Sequence, residues 1–328
     1  MSNHINMGSV KYAALTVMVD NKANLIVDSS DQVKHFTDKT LLAEHGFSVL
    51  IQLEDSERKI LWDAGVSRVA LIENYRRMKI DLVSIKKVAL SHGHFDHYAA
   101  MTDLLLEMDL LPQDKEWGAT VKPEEIEEWI EGSRLPIVAH PAALRERWWI
   151  NDDGNLEGPY LPPPEKAWQA LGARIVLSEE PYQLAPGCWT TGYIPRKSFE
   201  TIGRSEKLRY RNGSEFVPDD MEDDQAIVIN IEGKGLIILS GCAHSGIVNT
   251  IVHARDLFKI DAIYAVIGGF HLARASDDEI NQTIDYIRNI EPSLVIPSHC
   301  TGLGAISRFA QEMPDEFIEG VVGTTYQL

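Results

Sequence analysis

The sequence predicts an α/β fold in which two mixed β-sheets pack on each other with helices on their outer faces. Three observations carry this. Short apolar runs, alternating or uninterrupted, recur along the chain and read as strands. The beginning is strand-rich, and strand–helix alternation then fills both halves. No repeat of about 20–50 residues and no low-complexity tract points to a solenoid or an array.

Strands are expected at 11–20 (KYAALTVMVD), 47–54 (FSVLIQLE) and 59–63 (KILWD), with DSER as the hairpin turn between the last two. A helix follows at 66–78. KKVALS (86–91) is a short apolar strand that runs into HGHFDH, and a helix continues over 97–109. Residues 111–135 read as a polar, acidic insertion with a short surface helix. LPIVAH (135–140) is the next strand, followed by a helix carrying Trp148 and Trp149, both expected in the core. Residues 151–164 form a Gly- and Pro-rich loop, and strands recur at 173–177 and 188–192. A second polar insertion, locally basic, spans 195–220. Then come strands 225–232 and 235–240, helix 246–258, strand 262–267, helix 277–289, strand 293–298 and helix 303–312. Apolar strands resume on both sides of each insertion, so residues 1–328 read as one domain.

Composition narrows the function. The chain has 328 residues, 44% hydrophobic and 24% charged, which excludes a disordered chain and a membrane protein. Against 49 Asp and Glu stand 31 Lys and Arg, and a net charge of −18 argues against a nucleic-acid partner. Three widely spaced cysteines, Cys188, Cys242 and Cys300, make no disulfide framework. The start shows no basic-then-apolar leader, and no apolar run is long enough to span a bilayer. A cytoplasmic protein with no membrane partner is expected.

The chemistry concentrates in Ser91-His92-Gly93-His94-Phe95-Asp96-His97. Three histidines and an aspartate follow a buried strand, where α/β folds place their sites. Imidazole and carboxylate together suit Zn²⁺ or another borderline divalent cation. His92 and His94, two apart in extended chain, point the same way. Asp96 and His97 come after a turn and can face a neighbouring position. The pattern of apolar strand and then histidine returns at His244, after LIILSGCA, and at His299, after LVIPS. Three strand ends converging on one cleft would supply two cation sites. Cys242 is a further candidate ligand or a wall of the pocket. Asp63 ends a strand and is expected to accept a hydrogen bond from a ligand imidazole.

The HxHxDH motif resembles the signature of the metallo-β-lactamase superfamily, and Leu61-Trp62-Asp63-Ala64-Gly65 looks like its earlier aspartate motif. Glu44-His45-Gly46-Phe47-Ser48, Thr191 to Arg196, Asp223-Asp224-Gln225-Ala226, SGCAHSGIVNT, Gly268-Gly269-Phe270-His271-Leu272 and HCTG resemble the subfamily of dihydropterin-(ribofuranosyl)aminobenzene-phosphate synthase-like hydrolases. The resemblance implies an αββα sandwich with metals at its edge. It implies that His92 and His94 bind a first cation, and that Asp96, His97 and His299 bind a second. The superfamily's usual histidine before the strand with the bridging aspartate is missing, since none lies between His140 and His244. His244 is therefore expected as third ligand of the first cation. Cys242 stands where many members have that aspartate. Zn²⁺ is the expected cofactor, one or two ions, with Mn²⁺ or Fe²⁺ as alternatives.

A metal-bound hydroxide, with Asp96 orienting it, would then attack a small ester, lactone or phosphorylated metabolite. The alternative is a synthase-like transferase using the same metals. A redox enzyme lacks its flavodoxin-like domain here, and a complete HxHxDH disfavours a mere binding module. His271 is a candidate proton donor or substrate ligand. Arg196, His45 and His140 are candidate substrate contacts, with Lys197, Arg204 and Lys207 nearby in the basic stretch. The N-terminus of helix 246–258 is a candidate seat for a substrate anion. The expected partner is a small, anionic molecule, and oligomeric state is left open.

Overall fold

Which way each strand residue points decides the layers. In Gly235–Ser240, Ile237 and Leu239 face one side, and Leu236 and Ile238 the other, as strand alternation requires. The computed structural model describes residues 5–110, 120–201, 203 and 205–328. An eight-stranded sheet runs in the order Val33–His35, Thr324–Gln327, Ala13–Val19, Ser48–Leu53, Lys59–Trp62, Ile85–Ala89, Leu135–Ala139 and Ala173–Leu177. A six-stranded sheet runs Gln183–Ala185, Cys188–Thr190, Ala226–Ile231, Gly235–Ser240, Ile263–Gly269 and Leu294–Ser298.

The two sheets meet in one apolar cluster. Leu15, Val17, Val49, Ile51, Ile60 and Trp62 of the first pack with Ile227, Ile229, Ile237, Leu239, Ile267 and Ile296 of the second. Residues of opposite parity bury against helices. Met18, Leu61 and Val88 lie under the helices Arg68–Met78 and Met101–Met108. Ile238, Val266 and Val295 lie under Ile247–Phe258, Asp277–Asn289 and Leu303–Glu312. The order is helices, sheet, sheet, helices, the αββα arrangement. No helix among the described residues is long and apolar enough to cross a membrane.

Parallel pairing positions the site. Lys59–Trp62, Ile85–Ala89, Leu135–Ala139 and Ala173–Leu177 run parallel, as do Gly235–Ser240, Ile263–Gly269 and Leu294–Ser298. Their carboxyl ends therefore gather at shared edges, where ligands of α/β sheets are met.

Three sequence expectations need correction. Trp148 and Trp149 lie in a strand, Arg147–Ile150, and not in a helix, and both are half-buried. The loop 151–164 contains the strand Leu156–Tyr160, and the insertion 195–220 contains Leu208–Asn212 and Glu215–Pro218. These make a third sheet, in the order Glu215–Pro218, Leu208–Asn212, Arg147–Ile150 and Leu156–Tyr160. Leu156–Tyr160 is exposed throughout, so no buried face imposes the alternation that sequence reading relies on. Finally, the expected helix 97–109 is two pieces, Phe95–Tyr98 and Met101–Met108. The acidic insertion holds a helix, Pro123–Ser133, while its first part, 111–119, lies outside the described residues.

Arg147 ties the third sheet to the histidine loop. It is buried, with Nε on Asp219 Oδ2 at 2.9 Å and Nη2 on Asp223 Oδ1 at 2.7 Å. The other oxygen of Asp223 accepts the Gly93 N–H at 2.7 Å. Gly93 has to be glycine here: a Cβ would stand 2.3 Å from Ala143 O and 2.6 Å from Arg147 Nη1. Asp223→Ala would strip a buried guanidinium of one of its two carboxylates. Its unfolding free energy should fall by about 3–5 kcal/mol, read from the denaturant midpoint.

Candidate metal centre

Each candidate side chain sits just beyond a strand end. Asp63 follows Lys59–Trp62, and Ser91 to His94 follow Ile85–Ala89. The short helix Phe95–Tyr98 then turns Asp96 and His97 back toward the cleft. Cys242 and His244 follow Gly235–Ser240, His271 follows Ile263–Gly269, and His299 follows Leu294–Ser298. Four residues of this rim have left-handed backbone although none is glycine: Asp63 (φ 56°), Ala243 (53°), His271 (53°) and His299 (48°). Such conformations cost about 1–3 kcal/mol each and persist only where the surroundings hold them. For His299 the holders are visible. Its N–H donates to Asp20 Oδ1 at 3.1 Å, and Asn21 Nδ2 donates to its carbonyl at 2.9 Å.

The ring nitrogens converge in two sets. His92 Nε2 lies 3.0 Å from His94 Nδ1 and 3.2 Å from His244 Nε2. Asp96 Oδ2 lies 3.6 Å from His97 Nε2, 3.5 Å from His299 Nε2 and 3.4 Å from His45 Nε2. Cys242 stands between the sets. Its Sγ is 3.1 Å from His97 Nε2, and it falls within 4.8 Å of donor atoms of His92 and His244 as well as His97 and His299. The five metal-candidate residues His92, His97, Cys242, His244 and His299 are each at most 5% exposed.

Hydrogen bonding does not account for this crowding. His92 Nε2 carries one lone pair, yet two ring nitrogens aim at it. His299 Nδ1 has no hydrogen-bond partner among the described residues, and its Nε2 stops 3.5 Å from Asp96 Oδ2. A tetrahedral cation with bonds of about 2.0–2.1 Å holds its ligands about 3.3–3.4 Å apart. The observed spacings scatter about that separation, so the donor set fits a bound divalent cation.

A hub of hydrogen bonds fixes which nitrogen faces the cluster. Asp63 is fully buried and accepts from Ser91 N and from Ser91 Oγ, both at 2.7 Å. It also accepts from His97 Nδ1 at 2.7 Å. Because the Ser91 hydroxyl donates to Asp63, its contact with His92 Nδ1 at 2.8 Å must be donated by the ring. Both rings are thereby set with Nδ1–H toward the hub and Nε2 toward the cluster. Gly241 makes room for this, since a Cβ there would stand 2.2 Å from Ser91 Oγ.

Electrostatics separates the two sets. Burial pushes His92 and His244 well down, and burial with Arg147 brings His94 down to about 4. All three are neutral near pH 7, as ligation requires. Burial also acts to lower His97, but Asp96 and Asp63 outweigh it and hold it up at about 9. Burial acts to raise Asp96, yet His97 and His299 hold it well below the usual carboxylate range. Burial pushes the Cys242 thiol well up.

The other sequence candidates divide. His271 packs on His244, ring centroids 4.2 Å apart, and its Nδ1 has no hydrogen-bond partner among the described residues. His45 is exposed at the mouth, stacked on His299 at 5.2 Å. His140 is buried, and its Nδ1 accepts the Ala142 N–H at 3.1 Å, capping the short helix Pro141–Leu144. Arg196 donates to Asp220 O at 2.9 Å, and its charge is felt at Asp224 and His244. Lys207 pairs with Asp152, and Arg204 lies outside the described residues. The expected anion seat at the N-terminus of Ile247–Phe258 is already filled. Glu200 accepts Val248 N–H at 3.0 Å and Asn249 N–H at 2.9 Å. Gly246 permits this, because a Cβ there would stand 2.1 Å from Glu200 Oε2. Sequence reading passed over Glu200, Asp20, Asn21, Arg147 and the Ser91 hydroxyl. Of these only Ser91, adjoining His92, carried a local signal.

Two outcomes follow. Asp63→Asn would lose the acceptor that sets His97, and cation affinity should drop on the order of 10–100-fold by chelator competition. A cation binding at His97 must displace its proton. Apparent affinity for that cation should therefore fall about tenfold per pH unit below about 9, and level off above it, measured by cation titration from pH 6.5 upward.

Comparison with known proteins bears on this centre. A family model described as the metallo-beta-lactamase superfamily matches residues 42–109, which include the HxHxDH loop. A 7,8-dihydropterin-6-methyl-4-(beta-D-ribofuranosyl)-aminobenzene-5'-phosphate synthase of Methanocaldococcus jannaschii is 30% identical over 84% of this chain and 87% of its own. An uncharacterized protein of the same organism is 30% identical over 91% of this chain and 97% of its own. The crystal structure of Tm1679, a metal-dependent hydrolase of the beta-lactamase superfamily, superposes with a TM-score of 0.70 at 22% identity, covering 96% of this chain and 99% of that one. With the motif, the αββα layers and identity sustained across both chains, this protein belongs to the metallo-beta-lactamase superfamily, in the family of the dihydropterin-(ribofuranosyl)aminobenzene-phosphate synthase-like proteins.

Proposed function

We propose that this protein is a metal-dependent hydrolase of a small ester, lactone or phosphorylated metabolite. The observation that carries the reading is the pair of converging donor sets, spaced 3.0–3.6 Å and not explained by hydrogen bonding. His92, His94 and His244 would hold one divalent cation, and Asp96, His97 and His299 a second. Cys242, between them, would serve either as a thiolate. Imidazole, carboxylate and thiol together favour Zn²⁺, with Mn²⁺ or Fe²⁺ next. Bound there, the cations would supply Lewis acidity and lower the pKa of water toward about 7.

The protein's own groups do the rest. Asp96, kept ionised by His97 and His299, accepts a hydrogen bond from the attacking water and orients it. His271, beside His244 and with Nδ1 lacking a hydrogen-bond partner among the described residues, would give a proton to the leaving group. Arg196, whose charge is felt at Asp224 and His244, would face an anionic substrate group, while Glu200 fills the helix N-terminus. A reducing compartment such as the cytoplasm would keep Cys242 a free thiol.

A second reading is favoured by the synthase relative, which matches over 87% of its length. In it the same residues serve a transferase, and an aromatic acceptor takes the place of water.

Cation analysis of purified protein should give one to two equivalents, and none after reconstitution would sink the reading. His92→Ala and His244→Ala should each lower cation content while the far-ultraviolet spectrum is kept. Lactones, esters and phosphodiesters, then a pterin pyrophosphate with an aryl acceptor, separate hydrolysis from transfer. His271→Ala should lower kcat about 10²–10⁴-fold and leave cation content unchanged.

A further inference from the structure

His45 lies far from the histidine loop in sequence, and yet its ring closes the second donor set. Its Nε2 is 3.4 Å from Asp96 Oδ2, nearer than the Nε2 of His97 at 3.6 Å or of His299 at 3.5 Å. The ring is stacked on His299, centroids 5.2 Å apart and planes 23° from parallel, so both present Nε2 to the same oxygen.

The tautomer of His45 can be read from its neighbour. Asn21 Nδ2 donates to His299 O at 2.9 Å, which leaves Asn21 Oδ1 as the atom 3.2 Å from His45 Nδ1. Oδ1 only accepts, so His45 Nδ1 carries the hydrogen. A neutral His45 then turns its Nε2 lone pair on the Asp96 carboxylate oxygen. Two acceptors at 3.4 Å repel unless a positive charge lies between them. Ring protons alone leave the set incomplete, because one carboxylate oxygen with two lone pairs accepts from two rings and the third ring nitrogen still faces it bare. One cation between Asp96 Oδ2 and the three ring nitrogens would satisfy all four atoms. The spacings of 3.4–3.6 Å match the ligand separation of about 3.3–3.4 Å in a tetrahedral site.

We infer that His45 is a fourth protein ligand of the second cation, and not a substrate contact. This rests on the metal-dependent reading above. The first set draws its ligands from His92, His94 and His244, all deeper in the fold, whereas His45 has a side chain 66% exposed. The second cation would thus be held by one ring that solvent and substrate can reach. Asn21 acts as its positioning residue, coupling His45 to the backbone of His299.

The test uses the full-length protein, stripped of metal and titrated with Co²⁺ against a chromophoric chelator. Wild type should take up two equivalents. His45→Ala, an exposed substitution, should keep the unfolding midpoint of the metal-free protein. It should weaken one Co²⁺ at least about tenfold, leave the other unchanged, and alter the visible absorption of the second ion alone. Two ions bound with unchanged affinities and spectra in His45→Ala would overturn the inference and leave the metal reading standing. Uptake of a single ion by wild type would also overturn it. No uptake at all would overturn both.

Discussion

One buried carboxylate organises this protein's chemistry. Asp63 sits where two sheets and the histidine loop meet, and it accepts three hydrogen bonds, two from Ser91 and one from His97. A polar group so deep in the fold is costly to bury, and three donors offset that cost. What the arrangement secures is direction. The Ser91 hydroxyl has one hydrogen, and giving it to Asp63 obliges His92 to donate in turn. Two imidazoles in different donor sets are therefore oriented by one acceptor, before any ligand arrives.

Strand ends supply position in the same way that Asp63 supplies direction. Parallel pairing brings Asp63, Cys242, His271 and His299 to one rim, and three of these four have left-handed backbone. Left-handed turns let a strand stop abruptly and present a side chain across the cleft. The strain is sustained by contacts from elsewhere in the chain, such as Asp20 and Asn21 at His299. Arg147 supports the histidine loop at Gly93, reaching its N–H through Asp223 from a sheet that is otherwise peripheral.

The sequence was legible where burial imposes a period. The strands of both central sheets alternate or run apolar because each has two faces to cover, and the helices at 68–78, 247–258, 277–289 and 303–312 follow the expected spans closely. The third sheet was not legible, because Leu156–Tyr160 buries nothing and the adjacent, half-buried Trp148 and Trp149 show no alternation of apolar and polar residues. Edge strands such as Val33–His35 are too short to show any period. At the site, clustered histidines announced the chemistry. The residues that steer them did not, since Asp20, Asn21, Arg147 and Glu200 are ordinary polar letters whose meaning comes through contacts 24 or more residues away in the chain.

Glu200 gives the basic insertion a fixed end. Its carboxylate is docked on the first turn of Ile247–Phe258, and Asn249 Oδ1 adds bonds from the N–H groups of Lys197 and Ser198 at 2.7 Å each. Arg196 stands four residues before that anchor, a leash of at most about 14 Å even fully drawn out. The guanidinium is held as well, donating to Asp220 O at 2.9 Å, instead of roaming with a long surface loop. An acidic side chain, one of 49 in a protein of net charge −18, is what keeps a positive one on station.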